Sequence, residues 1–95
     1  MKSATPVLLF TSDNPELPRQ IMASRISVES INVQTDIMLD LNSQIRLEIA
    51  TSLGKLTLQA IVVKHHADGY ACQFVDMDPQ TGQKLSQWLY PPFEP

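Results

Sequence analysis

The sequence predicts a mainly β fold: a small six-stranded antiparallel β-barrel with one C-terminal helix. Three observations carry the prediction. Apolar residues alternate with polar ones through three consecutive segments between Ser43 and Met77. Shorter apolar runs, each bounded by turn-forming residues, fill the first half of the chain. A stripe with helical spacing occurs only at the end. Closure is the natural way for so many short strands to avoid bare edges.

The elements follow in order. "TPVLLFTS" is a short apolar run, ended by "SDNPELP", where Asp13, Asn14, Pro15 and Pro18 predict a loop. "RQIMASRISV" alternates more weakly, setting Ile21, Ala23 and Arg25 against Met22, Ser24 and Ile26. In "SINVQT", Ile31 and Val33 share a face. In "SQIRLEIAT", Ile45, Leu47 and Ile49 alternate with Arg46 and Glu48. "SLGK" is a tight turn, with Gly54 free to take positive φ. "GKLTLQAIVVKHH" sets Leu56, Leu58 and Ala60 against Thr57 and Gln59. Asp68-Gly69 is a hairpin signal leading into "YACQFV", where Tyr70, Cys72 and Phe74 share a face. The last three strands therefore form an antiparallel meander. Asp78 is a suitable N-cap and Pro79 suits the first helical position. Leu85, Trp88 and Leu89 form one apolar stripe, and Pro91-Pro92 stops the helix.

Bulk properties narrow the function. Ninety-five residues make one domain, 1–95. The net charge is −3, and seven Lys and Arg are scattered without a cluster. Nucleic-acid binding draws its affinity from cations that neutralise phosphates, so no nucleic-acid role is expected. An oligonucleotide-binding barrel would also expose stacking aromatics, and these are only 6% here, gathered toward the C-terminus. No apolar run is long enough to enter a bilayer, and the first residues lack the apolar stretch of a signal peptide. With a single cysteine, Cys72, the chain reads as cytoplasmic and reducing.

Enzyme chemistry finds no footing. His65 and His66 are neighbours on a strand and point to opposite faces, so they do not chelate one ion, and no metal is expected. Cys72 lies mid-strand between Tyr70 and Phe74 and reads as a small buried hydrophobe. "SLGKL" holds Gly-Lys without the rest of a phosphate loop. The expectation is no enzyme, no catalytic residue and no cofactor. Two features remain. Arg19 and Arg25 flank the strand that leads into the Ser27/Ser30 turn. Near the C-terminus, Tyr90 and Phe93 either cap the barrel or anchor a protein partner.

From about Thr5 to Leu89 the chain resembles a PilZ domain, the bacterial receptor module for cyclic di-GMP. Ile26-Ser27-Val28-Glu29-Ser30-Ile31-Asn32-Val33 is similar to the family's "iSxxGlxl" segment, and "LDLNSQIRLEI" to its "l-x-x-G-x-x-v-x-l-x-l". "LTLQAIVVKH" and "GYACQFVDMDPQTGQKLSQWL" resemble its later strands and helix. The resemblance implies a PilZ-like six-stranded barrel and a place in cyclic di-GMP signalling.

The family's ligand motifs are Arg-x-x-x-Arg before the first strand and Asp/Asn-x-Ser-x-x-Gly at the turn. Here the turn reads Arg25-x-Ser27-x-x-Ser30, and only Lys2 precedes the first strand as a cation. An ammonium does not match a guanidinium fork for bidentate phosphate binding or guanine stacking. The resemblance therefore implies a degenerate member. It would act as an adaptor, mainly by protein contact in a motility, pilus or surface-behaviour pathway, with weak or absent nucleotide binding. The alternative is a genuine cyclic di-GMP receptor using Arg19, Arg25, Ser27 and Ser30.

Overall fold

Six strands and one helix follow one another in the computed structural model, which describes residues 5–11, 16–51 and 54–90. The strands are β1 (Thr5–Phe10), β2 (Arg19–Ile26), β3 (Ser30–Gln34), β4 (Gln44–Thr51), β5 (Gly54–His65) and β6 (Gly69–Val75). The helix α1 spans Pro79–Leu89. All neighbouring strands are antiparallel, and they close into a barrel in the order β1-β2-β3-β6-β5-β4. The meander expected from the last three strands is present as β4-β5-β6.

Alternation places the core. Leu47, Ile49, Leu58, Val62 and Cys72 point inward and are essentially inaccessible, as are Leu9, Ile31 and Val33 from the first half. Each such aliphatic side chain contributes about 1.5–3 kcal/mol by leaving water. The expected faces hold throughout β3, β4 and β6.

In β2 the expected faces need correction. Ala23 pairs with Val33 but Arg25 pairs with Asn32, so Ser24 is an extra residue in the strand. This β-bulge shifts the phase by one. Ile26, not Arg25, therefore continues the inward face begun by Ile21 and Ala23. A second bulge falls in β5, where Val62 pairs with Cys72 and Lys64 with Ala71. It leaves Val63 outside, 47% exposed.

The turns follow local chemistry. Thr51 pairs with Gly54, whose φ of 112° requires glycine as expected, and Thr51 Oγ1 donates to Gly54 O at 2.6 Å. His66 and Gly69 exchange backbone hydrogen bonds across the β5–β6 hairpin. The glycine at 69 has a reason other than turning. A Cβ there would lie against the Val33 carbonyl, with Val33 C at 2.9 Å and Gln34 Cα at 3.0 Å. Residues 35–43 connect β3 to β4, two strands that are not neighbours, and so pass across one end of the barrel. There the Tyr70 hydroxyl accepts from Leu39 N at 3.0 Å and donates to Ile37 O at 3.1 Å.

The helix has the expected cap: the Asp78 carboxylate accepts from Thr81 N at 2.7 Å, and Pro79 follows it. Leu85 is fully buried, and Trp88 and Leu89 pack partly buried against the core. Helical order ends at Leu89, with Tyr90 as C-cap, while Pro91 and Pro92 lie outside the described residues, as do Lys2 and Asp13 to Pro15. No described helix is long and apolar enough to cross a membrane.

Candidate functional site

The β2–β3 hairpin is built around Ser27. Its hydroxyl accepts from Glu29 N at 3.2 Å and from Ser30 N at 3.1 Å, and it lies 3.1 Å from the Ser30 hydroxyl. Ser27 N also donates to Ser30 O at 2.9 Å. A serine hydroxyl that accepts from amides two and three residues on stabilises a tight turn. Ser27 therefore already has a structural task. Positive φ among the described non-glycine residues occurs only at Asn42 (69°) and Asp76 (53°). Ser30 is thus not in the left-handed region, and its backbone does not demand the glycine of the family pattern. Asn42 occupies the glycine position of the "l-x-x-G" pattern and does adopt it, as asparagine can.

Below this hairpin the outer face of β3 and β6 forms an open groove of about 470 Å³. Val28, Val63 and Met77 supply apolar walls, while Asn32, Gln73 and Ser30 supply polar groups around the small Ala71. The Val63 bulge makes one wall. Among the described residues Glu29 is the only charged residue in the lining, and no Lys or Arg contributes. The groove offers neutral hydrogen-bonding groups between apolar shoulders.

The structure brings together Arg25, Ser27 and Ser30 and leaves Arg19 apart. Arg25 is exposed and pairs with Asn32, which pairs with Ala71, which pairs with Lys64. One outward row thus carries a cation at each end, three strand spacings or about 14 Å apart. Arg19 lies opposite Leu9, six residues before Arg25 on β2, or about 20 Å away at about 3.3 Å per residue. It belongs to the other end of the barrel. Tyr90 is 62% exposed beyond the helix, with its amide donating to Ser86 O at 2.8 Å. Phe93 lies outside the described residues.

The remaining chemistry-bearing residues have structural surroundings. Cys72 is fully buried between Ile31 and Val62, and burial pushes its thiol up to about 11. A thiol in that setting is not a nucleophile at neutral pH. The His65 ring stacks on Tyr70 at 5.0 Å. No group of three His, Cys, Asp or Glu is placed to hold a metal among the described residues. On the opposite wall, Arg46 lies 4.3 Å above the Phe10 ring, and Lys55 pairs with Glu48 at 3.5 Å. Sequence reading missed the Val63 wall and the Lys64 end of the cationic row. The Val62-Val63 doublet, which breaks the alternation, was the available signal.

Comparisons with known proteins agree with this architecture. Residues 4–90 match the PilZ domain family. Among solved structures, the crystal structure of the PilZ domain of CeSA from a cellulose-synthesizing bacterium superposes with a TM-score of 0.72. The match covers 92% of this chain and 90% of that chain at 11% sequence identity, a likeness of fold. No curated protein matches. With a family match over nearly its whole length and the six-stranded barrel to go with it, the chain belongs to the PilZ domain family, the regulatory modules of cyclic di-GMP signalling.

Proposed function

We propose that this PilZ domain is a cytoplasmic adaptor in cyclic di-GMP-related regulation. It acts mainly by protein contact and binds the nucleotide weakly or not at all. One observation carries the reading: among the described residues, no cation lines the groove beside the Ser27 hairpin. A dianionic dinucleotide needs paired guanidinium forks for its phosphates and bases. Arg25 faces only an ammonium, Lys64, at the far end of its row, and Arg19 is about 20 Å from it along β2. Ser27 spends its hydrogen-bonding capacity on its own turn. Apolar shoulders with neutral amides between them suit a protein surface better than a phosphate diester.

Calorimetric titration of the full chain with cyclic di-GMP tests this. The expected result is no heat of binding below tens of micromolar; sub-micromolar affinity overturns the adaptor reading. One feature favours the receptor alternative, the Arg25 and Lys64 pair at the two ends of one outward row. If that alternative holds, Arg25→Ala and Lys64→Ala each weaken binding at least tenfold. A requirement for Arg19 as well would call for a second subunit to supply it.

A further inference from the structure

The connection between β3 and β4 presents Met38 at the barrel end opposite the Ser27 hairpin. Met38 is 90% exposed, and Leu41 beside it is 55% exposed. A methionine on a loose loop would be unremarked, but this segment is braced along its length. Thr35 N donates to Asp68 O at 3.0 Å, and Ile37 N donates to Thr35 Oγ1 at 3.1 Å. The Tyr70 hydroxyl then bonds Ile37 O and Leu39 N, the residues on either side of Met38. Ser43 Oγ donates to Asp40 O at 2.6 Å, and Asn42 N donates to Val62 O at 2.7 Å. Ile37 and Leu39 turn inward and pack on the core. Met38 is therefore held outward by its neighbours' burial. A backbone braced in advance spares the ordering cost of the segment when a partner covers Met38.

The surroundings define that partner. Asp36 and Asp40 flank Met38 at two residues on each side and are exposed; Asp68 is exposed on the adjacent hairpin. None of the three forms an ion pair among the described residues. Glu16, just before β2, and Arg19, its first residue, cancel formally. An apolar knob within an acidic collar is complementary to an apolar pocket rimmed by Lys or Arg, and it is repelled by an anionic membrane surface. We propose that the 36–41 segment is a docking surface, with Met38 inserted into an apolar, basic-rimmed pocket of a protein partner. Tyr70 is its positioning residue.

This surface lies apart from the groove, so its test stands independently of the nucleotide titration. The full chain carrying Met38→p-benzoylphenylalanine is photolysed in cells of the source organism, with Thr57→p-benzoylphenylalanine as the control on another exposed face. The adduct peptide is then sequenced by mass spectrometry. The expected result is a protein adduct whose peptide holds Lys or Arg beside apolar residues. Its yield should fall at least fivefold when Asp36→Lys and Asp40→Lys are added. With the partner so identified, Tyr70→Phe should weaken binding of the purified chain several-fold and speed amide exchange at Leu39, with Met38 unchanged. The proposal is overturned by adducts no stronger than the Thr57 control, by adducts only with lipid or with a second copy, or by a yield indifferent to charge reversal.

Discussion

Replacing Gly69 by alanine isolates the tightest backbone approach in the barrel. The added methyl would meet the Val33 carbonyl, with Val33 C at 2.9 Å and Gln34 Cα at 3.0 Å. These are backbone atoms of the paired strand, so no rotamer change relieves the overlap. β6 must move from β3 at the Gln34–Gly69 pair, next to Val33 and Tyr70. Overpacking costs about 1–3 kcal/mol. A weakened backbone hydrogen bond adds about 1 kcal/mol. The stiffer unfolded chain adds an opposing destabilisation of only about 0.5–1 kcal/mol to the unfolded state. The net expectation is a loss of about 1–3.5 kcal/mol, centred near 2, which for a domain of this length lowers Tm by roughly 5–20 °C. Thermal and urea unfolding followed by circular dichroism provide the assay. Gly82→Ala is the matched control: its methyl meets the flexible Met77 Sδ at 3.3 Å, and alanine favours the helix by about 1 kcal/mol. Its Tm should hold or rise. A Gly69→Ala protein melting within about 3 °C of the parent would refute the close-approach argument.

Other expectations concern single groups. The Cys72 thiol is raised from 9.0 to about 11 by burial, so the folded state resists ionisation that the unfolded chain allows. Stability should be fully present below pH 9 and decline toward pH 11, and Cys72→Ala should flatten that decline in urea titrations. The Asp78 carboxylate is held below its ordinary value chiefly by its hydrogen bond to Thr81. Its stabilisation is present above the unfolded value of 3.8 and is lost as pH falls through the lower folded value. Asp78→Ala should remove that acid dependence and reduce helical signal, while Asp78→Asn should preserve the cap at neutral pH. At Asn42, with φ of 69°, glycine should be neutral or stabilising, whereas alanine should cost about 1–2 kcal/mol in chemical denaturation.

Legibility in the sequence followed the regularity of the pleat. From Ile45 to Ile49, and again from Leu56 to Ala60, no residue interrupts the period of two, and the faces of β4 and early β5 could be read directly. Ser24 broke the period in β2. Bulges are set by the partner strand, which a local window does not contain, so Arg25 was assigned the wrong side. The Ser27–Ser30 turn was legible because its hydrogen bonds span only three residues. The separation of Arg19 from Arg25 was hidden until both ends of β2 were fixed. Tyr70 was placed on the correct face, but its bonds to Ile37 and Leu39 cross more than thirty residues. Gly69 looked like a turn glycine because nothing local announces the Val33 carbonyl.

The strand order has a mechanical consequence. β1-β2-β3 and β4-β5-β6 are two half-shells, each zipped by chain-local reversals, and they meet along two seams. The β3–β6 seam has five residue pairs, from Ser30–Gln73 to Gln34–Gly69, whereas the β1–β4 seam has three, from Leu8–Glu48 to Phe10–Arg46. Both join residues far apart in the chain, so assembly is paced by docking the halves, and the shorter seam has the least to hold it. Native breathing should therefore start where β1 meets β4, while the Tyr70 clasp keeps the opposite seam shut.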